Sequence, residues 1–431
     1  MDFRYSTSCL VTPAKLRSLA TRLHPYTKYL HGVSRDDTYT SLESSLHLPF
    51  DKEILSRVHR MVRQKVTKEL KTIVVVGIGG SNLGAKAVYD ALGGTFGMIE
   101  THQQRPKLYW AETTDPEWIY RLSQYTCEHT SPKQFLITII SKSGGTTETI
   151  ANTEYLLKRL TARFGQKVMD RIVVTSDEGS SLWLQSLKKK IAVLPIPAGV
   201  GGRFSVYSPV GLFPLIAGGI NGIQFIQGAR SMIEQCLGEK HISNPALISA
   251  CILFEQYRQG KHIHDTFFFH PQLESLGKWY RQLLGESIGK SEHIGITPTI
   301  SLGSTDLHSV GQLYLGGPRD KVTTFVRVAS SRSGVSVPRT MIFPIIEGVA
   351  GKEFYEILHA IYRGVAITYH KRGVPYMETI LSSMSVQSLG EWLQFKMLEI
   401  MYLGKLFHIN AFDQPNVEFY KKETKRILNT Y

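Results

Sequence analysis

Short apolar runs rich in β-branched residues, separated by stretches with helical spacing, constrain this chain more than any other feature. The first series comprises Ile73 to Val76, Phe135 to Ile140, Ile172 to Thr175 and Ile191 to Leu194. Such runs lack apolar/polar alternation, which fits strands buried on both faces with a crossover helix after each. A second series follows at His262 to Phe269, Thr297 to Leu302, Val322 to Val328 and Met341 to Ile346. The pattern predicts two α/β halves built on parallel sheets. Ahead of them, Ile54, Val58 and Val62 carry helical spacing and predict a helical preamble. Behind them, Ser385 to Leu403 reads as a long amphipathic helix, followed by a loop and a basic final helix from near Gln414.

A chain of 431 residues exceeds one ordinary core. Its four cysteines (Cys9, Cys127, Cys236, Cys251) lie far apart, with no CxxC pair, so a reducing compartment is expected. Asp2 and Arg4 interrupt the apolar segment a secretory signal would need, which points to the cytosol. The most apolar stretch, Val206 to Ile220, contains Ser208, Pro209 and Pro214 and is shorter than the roughly 20 residues that span a bilayer. It predicts a buried helix, and no membrane partner is expected. A net charge of +14 attracts anions of any kind. The basic runs at Lys188–Lys190 and Lys421–Lys422 are short and come without a nucleic-acid-binding motif, so no nucleic acid partner is expected.

Two glycine-rich turns carry the chemistry. Gly77-Ile-Gly-Gly-Ser81 follows the first strand and precedes a helix, where free backbone amides would face an anion and Ser81 could cap the helix. Its spacing departs from GxGxxG and lacks the ending of a P-loop, which disfavours a nucleotide and leaves a phosphate or a purely structural turn. The second turn, Ser141-Lys-Ser-Gly-Gly-Thr146-Thr147, follows FLITII and places Ser141, Lys142, Ser143 and Thr146 at a helix start. Such hydroxyl density suits a monophosphate better than an ordinary capped loop. His262, His264, Asp265 and His270 resemble a metal cluster, but an extended strand would hold His264 and His270 about 19 Å apart, so no metal is expected there.

With SKSGGTTET the chain resembles the sugar isomerase (SIS) fold. Together with GIGGSNLG, VGGRFSVYSPVGL, GESIGK and NAFDQPNVEFYK it resembles the glucose-6-phosphate isomerase family from about residue 70 onward. The resemblance implies two SIS-type αβα sandwich domains with parallel sheets and helical segments at both ends. The expected divisions are 1–68, 69–225 (phosphate loops), 226–404 (base and ring-opening histidine) and 405–431 (catalytic lysine). It also implies reversible aldose–ketose isomerisation of D-glucose 6-phosphate and D-fructose 6-phosphate through a cis-enediolate, without metal or organic cofactor.

The family's carbon base is a glutamate in ESxGK, which occurs here at both Glu274 and Glu286. Gln282, four residues before Glu286, favours Glu286, and Glu274 remains the alternative. By the same resemblance, His308 opens the sugar ring from the partner subunit of a homodimer, and Lys421 assists it, with Lys422 the alternative. Arg203 would stabilise the enediolate. Gly80, Ser81, Ser141, Lys142, Ser143, Thr146, Gly202, Gln282 and Gln414 would contact the substrate. Phe419-Tyr420 stands where the family has Leu-Gly, which adds bulk beside the lysine. An isomerase of another hexose phosphate, such as mannose 6-phosphate, and a non-catalytic sugar-phosphate sensor are the competing readings.

Overall fold

In a computed structural model describing residues 1–94, 105–238, 244–330 and 333–430, the chain opens with strand β1 (Asp2–Arg4) and helices α1 (Pro13–Ser34) and α2 (Lys52–Lys65). The first α/β series runs β2 (Thr72–Val76), α3 (Leu83–Tyr89), β3 (Lys107–Ala111), α4 (Pro116–Cys127), β4 (Phe135–Ile140), α5 (Thr147–Phe164), β5 (Ile172–Ser176), α6 (Ser181–Lys188) and β6 (Ala192–Pro195). Helices α7 (Pro209–Ala217), α8 (Gly222–Leu237) and α9 (Pro245–Arg258) lead to the second series. That series runs β7 (Ile263–Phe268), α10 (Glu274–Ile288), β8 (Thr297–Leu302), α11 (Gly311–Gly316), β9 (Lys321–Val328), α12 (Phe354–Lys371) and β10 (Tyr376–Leu381), and the chain ends with α13 (Val386–Phe407) and α14 (Val417–Leu428).

The first sheet has the order β3-β2-β4-β5-β6, and all its pairs are parallel. Every residue of β2, β4 and β5 is buried, as expected of strands covered by helices on both faces. From β2 the chain moves to β3 on one flank and then crosses to β4 on the other. The carboxyl ends of β2 and β4 therefore flank a topological switch point, the usual binding crevice of such sheets. The two glycine-rich turns leave these two strands.

The second sheet, β1-β10-β9-β7-β8, is parallel except for β1, which pairs antiparallel with β10 through Asp2 opposite Ile380. The amino-terminal segment expected to be helical thus begins as the edge strand of the sheet completed last. The strand expected at Met341 to Ile346 does not form. That stretch is an irregular loop containing Pro344, whose missing N–H disfavours a sheet interior, and the sheet takes Tyr376–Leu381 instead.

Helix α13 is not amphipathic but buried around nearly its whole circumference. Lys396 and Glu399, the apparent polar face, are both fully buried and paired at 2.9 Å, with Tyr280 of α10 donating to Glu399 at 2.6 Å. Close approach of α8 to α13 depends on glycine, because a Cβ at Gly228 would stand 2.0 Å from the Gln387 carbonyl oxygen. Helix α7 is almost entirely buried, as expected for Val206 to Ile220, and among the described residues no helix is long and apolar enough to cross a membrane. All four cysteines are free thiols.

Candidate functional site

The glycine turn after β2 is a short 3-10 turn, Gly79–Ser81, in which Gly79 adopts φ +61°. A side chain at Gly80 would place its Cβ 2.3 Å from the Gly202 carbonyl carbon, so the two backbones touch only because residue 80 is a glycine. That contact seats the Gly202–Phe204 turn, and with it Arg203, directly against the first glycine loop. Ser81 does not cap the following helix. Asn82 occupies the cap position without a side-chain cap bond, and its amide instead donates to Glu112 at 2.6 Å, which also receives Lys86. Glu112 carries no motif in the sequence. It is recognisable only once β3 brings it beside α3.

Arg203 is 3 % exposed, and its guanidinium is fully engaged. Nε donates to Ser287 at 2.8 Å; Nη2 donates to the carbonyls of Ala411 (2.7 Å) and Asp413 (3.0 Å); Nη1 donates to Gln414 Oε1 (2.7 Å) and to Glu286 at 3.3 Å. Burial pulls its pKa below the ordinary value, while the nearby Glu286 and Asp413 carboxylates act in the opposite direction. The longest of the five contacts is the one to Glu286, whose side chain remains one-third exposed. Arg203 thus knots α10, the Gly202 turn and the segment before α14 into one cluster. Its Nη1 edge faces the carboxylate.

The two ESxGK motifs lie on one helix and meet opposite surroundings. Glu274, in the first turn of α10, forms a half-exposed i,i+4 pair with Lys278 at 2.7 Å. Glu286 lies about 18 Å further along at ~1.5 Å per residue. There α10 is about to end, and Lys290, beyond the terminal Gly289, turns away to Asp413. Glu286 is left to Arg203 and to Gln282, whose Nε2 donates to it at 3.1 Å. Gln282 in turn sits against Gly79, where a Cβ would meet its Nε2 at 2.9 Å, and its own Oε1 is buried without a partner.

In the second turn, Ser141 is buried and its hydroxyl lies 3.0 Å from that of Thr146, the residue preceding α5. Thr146 makes no side-chain cap bond, so the first amides of this 18-residue helix are not answered by a cap. Ser143 is exposed and accepts from the Gly145 amide at 3.4 Å. Lys142 does not project freely. Its ammonium donates to the Val200 (2.8 Å) and Ala198 (3.2 Å) carbonyls, tying this turn to the approach to Gly202.

Gly80, Gly202, Arg203, Gln282, Glu286 and Gln414 therefore come together, with Gln414 on Arg203. His308 does not join them: it is exposed at the end of a short 3-10 turn after β8. Nor does Lys421, which pairs with Glu418 at 2.7 Å on α14, a helix with no buried residue. Phe419 and Tyr420 are exposed beside it, as is Lys422. Ser287, Lys290 and Asp413 were missed although they stand inside or beside the motifs, because their spacing carries no chemistry of its own. Of the histidine cluster, His264 is buried between Thr324 (2.8 Å) and Tyr280 (3.2 Å), and burial holds His270 down to about 4. Among the described residues no group of three or more ligating side chains could hold a metal ion.

Comparison with known proteins bears on the family and the fold. The family model described as phosphoglucose isomerase matches residues 52–310, which include Arg203, Glu286 and His308. Glucose-6-phosphate isomerase of Carboxydothermus hydrogenoformans is 33% identical over 394 residues, 89% of this chain and 84% of that protein. That of Streptococcus agalactiae is 33% identical over 387 residues, 88% of this chain and 84% of its own. Among solved structures, a hypothetical protein of Thermus thermophilus superposes with a TM-score of 0.84 at 28% identity, covering 99% of this chain and 100% of the other. A glucose-6-phosphate isomerase of Chlamydia trachomatis shares the fold with a TM-score of 0.83 at 20% identity, covering 99% and 88%. The chain belongs to the phosphoglucose isomerase family.

Proposed function

We propose that the protein interconverts D-glucose 6-phosphate and D-fructose 6-phosphate as a cytosolic homodimer, with Glu286 as the carbon base. The observation that carries this reading is the Arg203–Glu286 contact beneath the first glycine turn, a carboxylate with one guanidinium edge and an open face. The phosphate is held between the Gly79–Ser81 turn and the hydroxyl-rich start of α5, where Ser141, Ser143 and Thr146 supply donors. Lys142 has one N–H left after its two carbonyl bonds.

Once the ring is open, Glu286 takes the C2 proton. The resulting cis-enediolate carries its charge beside Arg203, which moves its Nη1 donor from the carboxylate to the oxyanion. Glu286 then returns the proton to C1 while the hydroxyl proton passes from O2 to O1. One C–H bond is broken and one is made, with no net oxidation. Ring opening falls to His308 of the partner subunit and to Lys421, neither of which touches the cluster within one chain. A protruding loop favours a partner copy: residues 335–337 and 351–354 pair at its base, while Ile342, Phe343, Ile345 and Ile346 at its tip are 65–88% exposed.

A coupled assay with glucose 6-phosphate and mannose 6-phosphate tests the reading. Wild type turns over the first, Glu286→Gln loses on the order of 10²- to 10⁴-fold in kcat, and Glu274→Gln stays near wild type. Full activity in Glu286→Gln with loss in Glu274→Gln overturns the base. Binding of the sugar phosphate without turnover by wild type favours a sensor.

A further inference from the structure

Helix α10 stops at Ile288 because Gly289 takes the backbone out of the helix, where a Cβ would lie 2.8 Å from the Gly285 carbonyl oxygen. Lys290 then folds back over the helix end. Its ammonium donates to the Glu286 carbonyl oxygen (2.9 Å), to Asp413 Oδ1 (2.9 Å) and to the Asp413 carbonyl oxygen, which uses all three of its donors. A cation suits that place, since the unpaired carbonyls at a helix carboxyl end carry partial negative charge. The Lys290 side chain is 11 % exposed, and burial lowers its pKa while the Asp413 hydrogen bond works against that.

Asp413 is held from several directions. Its second carboxylate oxygen accepts from Asn410 at 3.1 Å, and its carbonyl oxygen lies between two cations, Lys290 and Arg203. The next residue is Gln414, bonded to Arg203. Downstream, α14 buries nothing that could hold this segment from the other side. Upstream, Ala411 is buried and Phe412 packs on Phe204 at 5.1 Å. The course of residues 413–414 past the guanidinium is therefore determined by Arg203 and Lys290 together.

We propose that Lys290 and Asp413 form a latch that holds the Asn410–Gln414 segment on Arg203 and so sets the Arg203–Glu286 geometry for proton transfer. Both are positioning residues, and the proposal rests on the isomerase reading above. Lys290 stands at the motif position that Lys278 holds in the first ESxGK, where Lys278 pairs with Glu274, and the helix end releases Lys290 from that role. That release leaves the Glu286 carboxylate to Arg203 and Gln282 and gives the lysine a second task.

The test compares full-length wild type with Lys290→Met, Lys290→Arg, Asp413→Asn and the double variant Lys290→Met/Asp413→Asn. Isomerase kinetics, thermal melting and amide hydrogen exchange are measured on each. Misplacement of catalytic groups by about 1 Å can cost on the order of 10²-fold, so Lys290→Met and Asp413→Asn should each lower kcat about 10- to 100-fold. KM should change much less, because the phosphate turns are untouched. The double variant should cost little more than either single one, as expected for two residues acting through one contact. Lys290→Arg should recover most of the loss, and exchange at Phe412 to Gln414 should quicken in Lys290→Met and in Asp413→Asn while melting stays near wild type. Wild-type kcat together with wild-type exchange in folded Lys290→Met overturns the latch. If Lys290→Met does not fold, Asp413→Asn, which alters a half-exposed group, decides by the same criteria. Should wild type fail to turn over glucose 6-phosphate, the isomerase reading falls by itself, and exchange alone decides whether the segment is latched.

Discussion

Arg203 holds the site together through a guanidinium with no donor left over. The VGGRFS motif singles out a cation, but only the fold shows that its five donors reach two backbone carbonyls, Ser287, Gln414 and Glu286. A lysine keeps the charge and loses the planar fork. Arg203→Lys should therefore lower kcat by about 100-fold and lower the melting temperature, because several buried acceptors lose their donor. Wild-type kinetics and melting in that variant would show that charge alone suffices. The choice between Glu274 and Glu286 is likewise a matter of surroundings. Both sit in ESxGK, and the sequence separates them only through Gln282. In the fold one faces solvent with Lys278 and the other faces Arg203.

Among the elements, the strands with unbroken apolar runs were legible because burial on both faces leaves no other composition open to them. Lys107–Ala111, which carries a lysine and two aromatics, and the three-residue β1 give too little pattern to be read. Met341 to Ile346 has a strand's composition without a strand's place. Helix α13 was legible as a helix, but its burial was not, since a lysine and a glutamate that neutralise each other inside the core look like a solvated face. Glycine contacts offer a clean test of this packing. Gly228→Ala should destabilise the protein by about 1–3 kcal/mol, because its Cβ has no space against α13. Gly364→Ala, on the exposed face of helix α12 with nothing within 4 Å, should instead stabilise by about 0.5–1 kcal/mol. Chemical denaturation of the two variants would check both signs, and equal effects would contradict the close α8–α13 crossing.

For the whole molecule, one chain brings Glu286, Arg203 and the first glycine turn together but leaves His308 and Lys421 away from them. Two copies should therefore be needed for turnover, with the 341–346 tip part of their contact. Phe343→Asp/Ile345→Asp should sediment as a monomer and lose isomerase activity, and a fully active monomer would sink the dimeric reading. Local pattern alone marks most of the buried parallel strands and the glycine turns that follow β2 and β4, each within a few positions, while the motif residues are marked by their resemblance to the family. The rest depends on residues far apart in the chain. Folding selects the glutamate that meets Arg203, ties Lys142 and Gln414 to neighbouring segments and brings Asp413 to Lys290, because these contacts arise from packing between elements whose spacing no local pattern encodes.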